Sequence, residues 1–465
     1  MAVSEAAPPT VSQRLRPLPR TAWERLPPGP RGLPVVGSAL AYLRSPLHTV
    51  EQAHARYGRA FTLPWFGYPL VWLIGPEAHR LLLSEQPQRF LWRPALANLI
   101  PLLGEGLLVT DGAEHDRLRR LMLPAFQRQR LDAYLPIIWD YAQRTAAHWR
   151  PGQVVEINAA MRALTLNVAA RCFLGVELGR DSAALSRAFF AMGPYLELQW
   201  PFHLLRLALP CTAYGQFRRG LRQLDAFVYQ LLAAKRADPD LASHDDALSA
   251  LLRARDTDGT GLTSRQLRDQ AVTLLAAGHN TTAHGLSWTL YLLARHPAVL
   301  AQLLDEHRRV LRGGVPTPEH VRALTYTEQV IKEALRLYPP AWAGARVTAE
   351  EVRFQQYVLP PGTTVAYCQW LSHRLPDVFA QPLHFLPARW APEGGETHPP
   401  FAYVPFGGGA RLCLGMAFAL LEMKLVLAAL LARWRLVLVP GQRVVPQPTV
   451  TLAPRDGIRF RVEPA

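Results

Sequence analysis

Apolar positions in this chain recur mostly at the three-and-four spacing of an amphipathic helix, and only in short stretches at the every-second spacing of a strand. From about residue 45 to 60 the pattern is helical, and it leads into short strands in which Phe61, Leu63, Val71 and Leu73 alternate. Helical periodicity then dominates from about 115 to 340, with breaks predicted at Pro151-Gly152, Pro194, Pro210, and Asp256 to Gly261. Residues 345 to 370 alternate around Pro360-Pro361-Gly362, as strands and a turn do. A last apolar helix is predicted over Met416 to Leu431, with strand and loop from 434 to 465. The expected fold class is mainly α with a small β portion, without internal repeats or a low-complexity linker. Residues 1–25 read as a disordered N-terminal arm and 26–465 as one compact unit of unusual size. That unit opens on Leu26-Pro27-Pro28-Gly29-Pro30, a stiff extended segment because proline fixes its own backbone and restricts the residue before it.

Composition narrows the class. Apolar residues make up 49% of the chain, enough for a large core. The net charge of +15 comes almost wholly from arginine, since Lys235, Lys332 and Lys424 are the only lysines. No basic stripe interleaved with aromatics appears, so nucleic acid is not an expected partner. Cysteines at 172, 211, 368 and 413 are irregularly spaced, which supports neither a disulfide framework nor a zinc site and suits a reducing cytoplasm. The first twenty residues hold Arg14, Arg16 and Arg20 but no apolar signal core, and no stretch reaches the length of a spanning helix.

The chemistry concentrates in Phe406-Gly407-Gly408-Gly409-Ala410-Arg411-Leu412-Cys413-Leu414-Gly415, directly before the last helix. Helix N-terminal amides and the helix dipole favour a thiolate at Cys413. Gly407 and Gly409 permit the positive backbone angles of a tight loop, and Gly415 lets a flat cofactor come close. Arg411 is placed to pair with a carboxylate of that cofactor. An anionic sulfur beside a carboxylate clamp is what haem iron ligated by cysteine requires. The segment resembles the haem-binding loop of the cytochrome P-450 family, F-x-x-G-x-R-x-C-x-G, and fills every fixed position.

Other segments carry the same resemblance. Glu333 and Arg336, three apart and followed by Leu337-Tyr338-Pro339-Pro340, resemble the family's E-x-x-R helix. Arg389 falls at the third place of the structural triad that locks the thiol loop. Ala388 and Trp390 depart from the usual glutamate and phenylalanine there, a change expected to touch packing more than the triad. His115 and Arg119, one helical turn apart, resemble the family's donors to a haem propionate, with Arg346 a further partner. Ala277-Gly278-His279-Asn280-Thr281-Thr282 resembles the segment where a helix opens over the haem to admit dioxygen. Ala277 and Gly278 would line the oxygen pocket, and Thr281 would help deliver protons. Asn280 stands where an acid is usual; an amide cannot shuttle a proton by ionising, so it is expected only to orient ordered water. His279 and His284 read as surface or packing histidines.

The resemblance spans roughly residues 26 to 460 and implies a haem-thiolate monooxygenase similar to the soluble bacterial members. The cofactor would be haem b, with Cys413 as axial ligand of the iron. One oxygen atom of O2 would enter a hydrophobic substrate, isoprenoid- or carotenoid-like or fatty-acid-like, and the other would become water. NAD(P)H would serve indirectly, through a ferredoxin or flavodoxin and its reductase, docked near Arg117 and Arg120. The segment Phe189 to Pro210, with Tyr195, Trp200 and Phe202, resembles a lid over the access channel that touches a membrane at most peripherally. Alternatives are a fatty acid hydroxylase or peroxygenase and a non-catalytic haem-binding sensor. The peroxygenases of the family carry an arginine–proline pair that Asn280-Thr281 lacks.

Overall fold

The computed structural model describes residues 23–179, 181–197, 209 and 211–465. Trp200 and Phe202, and nearly all of the N-terminal arm, lie outside the described residues. Helix accounts for 55% and strand for 12%, a mainly α architecture with a small β portion. The chain groups into two compact units.

The smaller unit holds the residues up to Ala97, Ala343–Val378 and His398–Arg411. Its centre is a five-stranded sheet built from β1 (Ala60–Trp65), β2 (Tyr68–Leu73), β3 (Phe90–Leu91), β5 (Gly344–Thr348) and β8 (Thr364–Tyr367). The order is β1-β2-β8-β5-β3, with β2 and β8 parallel in the register Val71 to Val365 and the other pairs antiparallel. Phe61, Thr62 and Leu63 are all buried, so β1 is covered on both faces and its side-chain alternation is not an inside–outside one. The hairpin β6 (Val352–Phe354) and β7 (Tyr357–Leu359) precedes the predicted turn, where Gly362 has φ 82°.

The larger unit comprises Asn98–Trp342, Phe379–Thr397 and Leu412–Ala465. Its helices used below are α1 (Gly112–Met122), α2 (Arg128–His148), α3 (Ile157–Ala169), α4 (Asp181–Leu196), α5 (Ala213–Ala237), α6 (Ser264–Arg295), α7 (Thr325–Leu337) and α8 (Met416–Leu431). Its strands are β4 (Val154–Glu156), β9 (Trp434–Leu438) and β12 (Arg459–Pro464) in the order β4-β12-β9, and the pair β10 (Pro446–Pro448) and β11 (Leu452–Pro454). Helix α6, 32 residues long, starts on a capping box: the Thr263 hydroxyl accepts from the Gln266 amide, and the Gln266 side chain accepts from the Thr263 amide. Most of its length is buried, as is most of α8, which is apolar on nearly every side. Two prolines that should interrupt helices do not: Pro194 lies inside α4, and Pro136 inside α2. The break predicted at Pro194 falls instead after Leu196.

Candidate active site

The thiol loop passes from one unit to the other between Arg411 and Leu412. Its first half is braced within the smaller unit. The Gly407 amide donates to Val404 O, and the Val404 amide donates to His373 Nε2 at 3.0 Å. Gly407 and Gly409 have φ 72° and 59°, and a Cβ on Gly409 would lie 1.8 Å from Leu83 O, so only glycine fits there. Arg411 stands over the Trp92 ring at 5.3 Å, and the same indole carries the Arg346 guanidinium at 3.3 Å. Arg346 is buried and donates to Ala345 O at 2.8 Å. Both guanidinium groups thus lie against one indole ring, and a guanidinium is a group that pairs well with a carboxylate. Trp92 was not legible as a site residue; its only signal is an aromatic next to Arg93 at the end of a strand.

In the larger unit, Cys413 is exposed on one side. Burial by the protein around it nevertheless pushes the thiol up, against the Gly415 amide and the Arg119 charge, which pull it down. The Gly415 amide and the Arg119 charge are thus the groups in the chain that favour a thiolate here, and a bound metal ion would favour it further. Arg119 donates from Nη1 to Leu412 O at 2.9 Å, so its guanidinium fixes the residue before the cysteine. His115, one turn earlier on α1, is buried with Nδ1 at 2.9 Å from Asp116 Oδ1. Gly415 has φ −88°, and a Cβ there would meet only Phe126, at 3.8 Å. Packing within the chain does not demand glycine at that point.

The buried triad is complete. Arg336 donates to both Glu333 oxygens at 2.8 and 2.7 Å, and to the carbonyls of Pro382 and His384. Arg389 Nε donates to Glu333 Oε1 at 3.0 Å. Burial pushes the Glu333 carboxyl up, but the Arg336 and Arg389 cations and the Leu386 amide hold it below its ordinary range. Trp390 does more than pack: its Nε1 donates to Glu333 Oε2 at 2.9 Å. Glu396 supplies the carboxylate that pairs with Arg389, where Ala388 has none. Neither role was readable locally.

Helix α6 runs unbroken through residues 276–282, so the expected opening is not a break in the helix. Ala277 is exposed and Thr281 half-buried in the middle of this otherwise buried element. The Thr281 hydroxyl donates back to Ala277 O at 2.7 Å and Thr282 to Gly278 O at 3.2 Å. Gly278 lies on the adjoining face, where a Cβ would meet Phe173 at 2.7 Å; its smallness serves that packing. Asn280 Oδ1 accepts from Arg162 Nε at 3.1 Å. His279 and His284 are buried packing residues, pushed down by burial to about 4 and about 3. Arg117 pairs with Asp256 at 2.7 Å and Glu114 at 3.3 Å, and Arg120, largely exposed, reaches the same Asp256 at 3.9 Å.

Among the described residues no cluster of three or more His, Cys, Asp or Glu could hold a bare metal ion. One soft sulfur beside a glycine cradle fits iron that brings its own macrocycle, which needs a single axial ligand from the chain. Fold and donor set thus suit a haem-thiolate protein. Comparison agrees. The cytochrome P450 family profile matches residues 27–460. Cyclooctatin synthase of Streptomyces melanosporofaciens is 33% identical over 93% of this chain and 95% of its own. Pentalenene oxygenase of Streptomyces avermitilis is 33% identical over 93% of this chain and 96% of its own. A solved structure, retinoic acid bound cyanobacterial CYP120A1, matches with a TM-score of 0.85 at 31% identity, covering 95% of this chain and 99% of that one. The chain belongs to the cytochrome P450 family and is a cytochrome P450 monooxygenase.

Proposed function

We propose that this enzyme hydroxylates an isoprenoid-like substrate, with Cys413 as the axial ligand of haem b. The observation that carries the reading is the uncovered Cys413 thiol beside Gly415, held by Arg119 through Leu412 O. When bound, haem iron with a thiolate ligand supplies the cleavage of dioxygen. The rest is the work of side chains. In the smaller unit Arg346 and Arg411 on Trp92 would offer their charge to the cofactor's carboxylates, and Phe406 and Gly407 would shape the loop; in the larger unit His115 and Arg119 would serve as further donors. Ala277 would leave room for the bound group, while Gly278 lets α6 pack on Phe173; Thr281 would position water for proton delivery, and Asn280 stays neutral against Arg162. Electrons come from NAD(P)H through a ferredoxin or flavodoxin and its reductase, for which Arg120 is an exposed cationic contact. No described helix is long and apolar enough to cross a membrane, and the four cysteines are free, which suits a reducing cytoplasm with at most peripheral membrane contact.

Pentalenene and retinoic acid, in the names of two similar proteins, are isoprenoid molecules, and this supports the substrate class. Optical titration of the haem-loaded protein with terpenoids, carotenoids and fatty acids tests it. A saturable spin-state shift with the first two is expected; a shift with fatty acids alone would replace the substrate assignment. Replacing Thr281 with alanine removes the hydroxyl from the accessible face of α6. Reducing equivalents should then be diverted to hydrogen peroxide, with product per NAD(P)H falling several-fold, as peroxide and product assays would show; unchanged coupling would contradict the role.

A further inference from the structure

We propose that Phe401 is a positioning residue for the thiol loop: clamped by His79 in a left-handed turn, it presents its ring as the floor on which Gly408 rests. The inference rests on the reading of Cys413 as the axial ligand, since it concerns the first half of the loop that carries that residue. Every contact in it lies within the smaller unit.

The turn Pro399-Pro400-Phe401-Ala402 closes with the Ala402 amide donating to Pro399 O at 3.1 Å, and Phe401 at its third place has φ 64°. Proline suits the second place of such a turn and glycine or asparagine the third, because a Cβ at positive φ crowds the backbone. This chain puts a large aromatic there instead. A residue held in that region persists only where its surroundings fix it, and such outliers point to a task beyond the turn itself.

Two buried imidazoles do the fixing. His79 Nδ1 lies 2.9 Å from Phe401 O, so this nitrogen carries the hydrogen and donates. Its Nε2 is buried with no hydrogen-bond partner among the described residues, so the bond to Phe401 O is what the ring offers. His373 stands 6.5 Å away, ring to ring and nearly perpendicular, and its Nε2 accepts from the Val404 amide at 3.0 Å. The two histidines thus grip residues 401–404 by a carbonyl at one end and an amide at the other, in opposite tautomers. Val404 O in turn accepts from the Gly407 amide at 3.0 Å, which carries the grip into the loop.

The Phe401 ring is where the strained turn is put to use. A Cβ on Gly408 would lie 3.2 Å from Phe401 Cε1 and 3.5 Å from Leu83 Cδ1, so the loop backbone sits directly against these two side chains. Leu83 belongs to the π-helical turn Leu81–Glu85, which continues the helix Pro76–Arg80 that carries His79. The same turn sets Leu83 O against Gly409. One short segment therefore supplies both the clamp on Phe401 and the other half of the floor. Such wide turns are rare and gather at functional sites. Glycine at 401 would make an easier turn but no floor.

The test compares haem-loaded wild type with Phe401→Gly and Phe401→Tyr. Glycine relaxes the backbone as it removes the ring, so the urea midpoint of Phe401→Gly should stay near wild type. Amide hydrogen exchange over residues 404–411 should nevertheless become several-fold faster, with exchange elsewhere unchanged. The reduced carbonyl complex should pass from its thiolate to its thiol form several-fold faster. Phe401→Tyr keeps the ring and should match wild type in all three. His79→Leu should loosen the same residues and add little to Phe401→Gly, since both act through one contact. Unchanged exchange over 404–411 in Phe401→Gly would overturn the proposal. So would a lowered midpoint with faster exchange everywhere, the mark of an ordinary core residue. A wild type without the thiolate form, but with the exchange difference, would sink the ligand reading and leave Phe401 in its role.

Discussion

Arg336→Ala should leave little folded, haem-loaded protein. The guanidinium is fully buried, bonds both oxygens of Glu333, and ties α7 to the carbonyls of Pro382 and His384. Removing it strands a buried carboxylate with only Arg389, Trp390 and the Leu386 amide as partners. Breaking a buried pair from one side costs about 3–5 kcal/mol. Against a total stability of about 5–15 kcal/mol, that is a large fraction, and further carbonyl bonds are lost with it. Urea unfolding should show a midpoint far below wild type, or no cooperative transition. Arg336→Lys keeps the charge but not the two-pronged geometry, so it should fall between the two. A midpoint for Arg336→Ala close to wild type would mean the triad is not a structural lock.

Cys413→Ser should behave in the opposite way. The thiol is exposed on one side, so replacing it costs the fold little. The change removes the soft sulfur on which the proposed cofactor chemistry depends. Unfolding midpoints should stay near wild type while substrate turnover falls below detection, and the reduced carbonyl spectrum should lose its thiolate form. Retained turnover would displace Cys413 from its assigned role. Together the two variants separate the residues that hold the loop from the residue that uses it.

How much of this could be read beforehand divides along a physical line. The thiol loop and the E-x-x-R helix were legible because their constraints are local: a glycine forced by φ 59° and the Leu83 carbonyl, or two charges one turn apart. Arg389 was reached through its spacing in a known pattern. Trp390 and Glu396 complete the same network but follow from how residues 379–397 fold against α7, and no local pattern marks them. Trp92 meets Arg346 across the β3–β5 pairing, a contact fixed by sheet register and not by sequence distance. Pro194 shows the limit of a propensity argument, since tertiary packing keeps α4 helical through it. In Ala277–Thr282 the residues were identified, but not their sorting onto two faces. Ala277 and Thr281 share the accessible face, and Gly278 and Thr282 share the face turned to Phe173 and α8.

The most direct test of the central claim is iron-edge X-ray absorption of the purified, haem-loaded protein beside its Cys413→Ser variant. Wild type should show four porphyrin nitrogens and one sulfur bound to iron, and the variant should keep the nitrogens and lose the sulfur. Iron without sulfur in the wild type, or the same sulfur signal in the variant, would contradict the account.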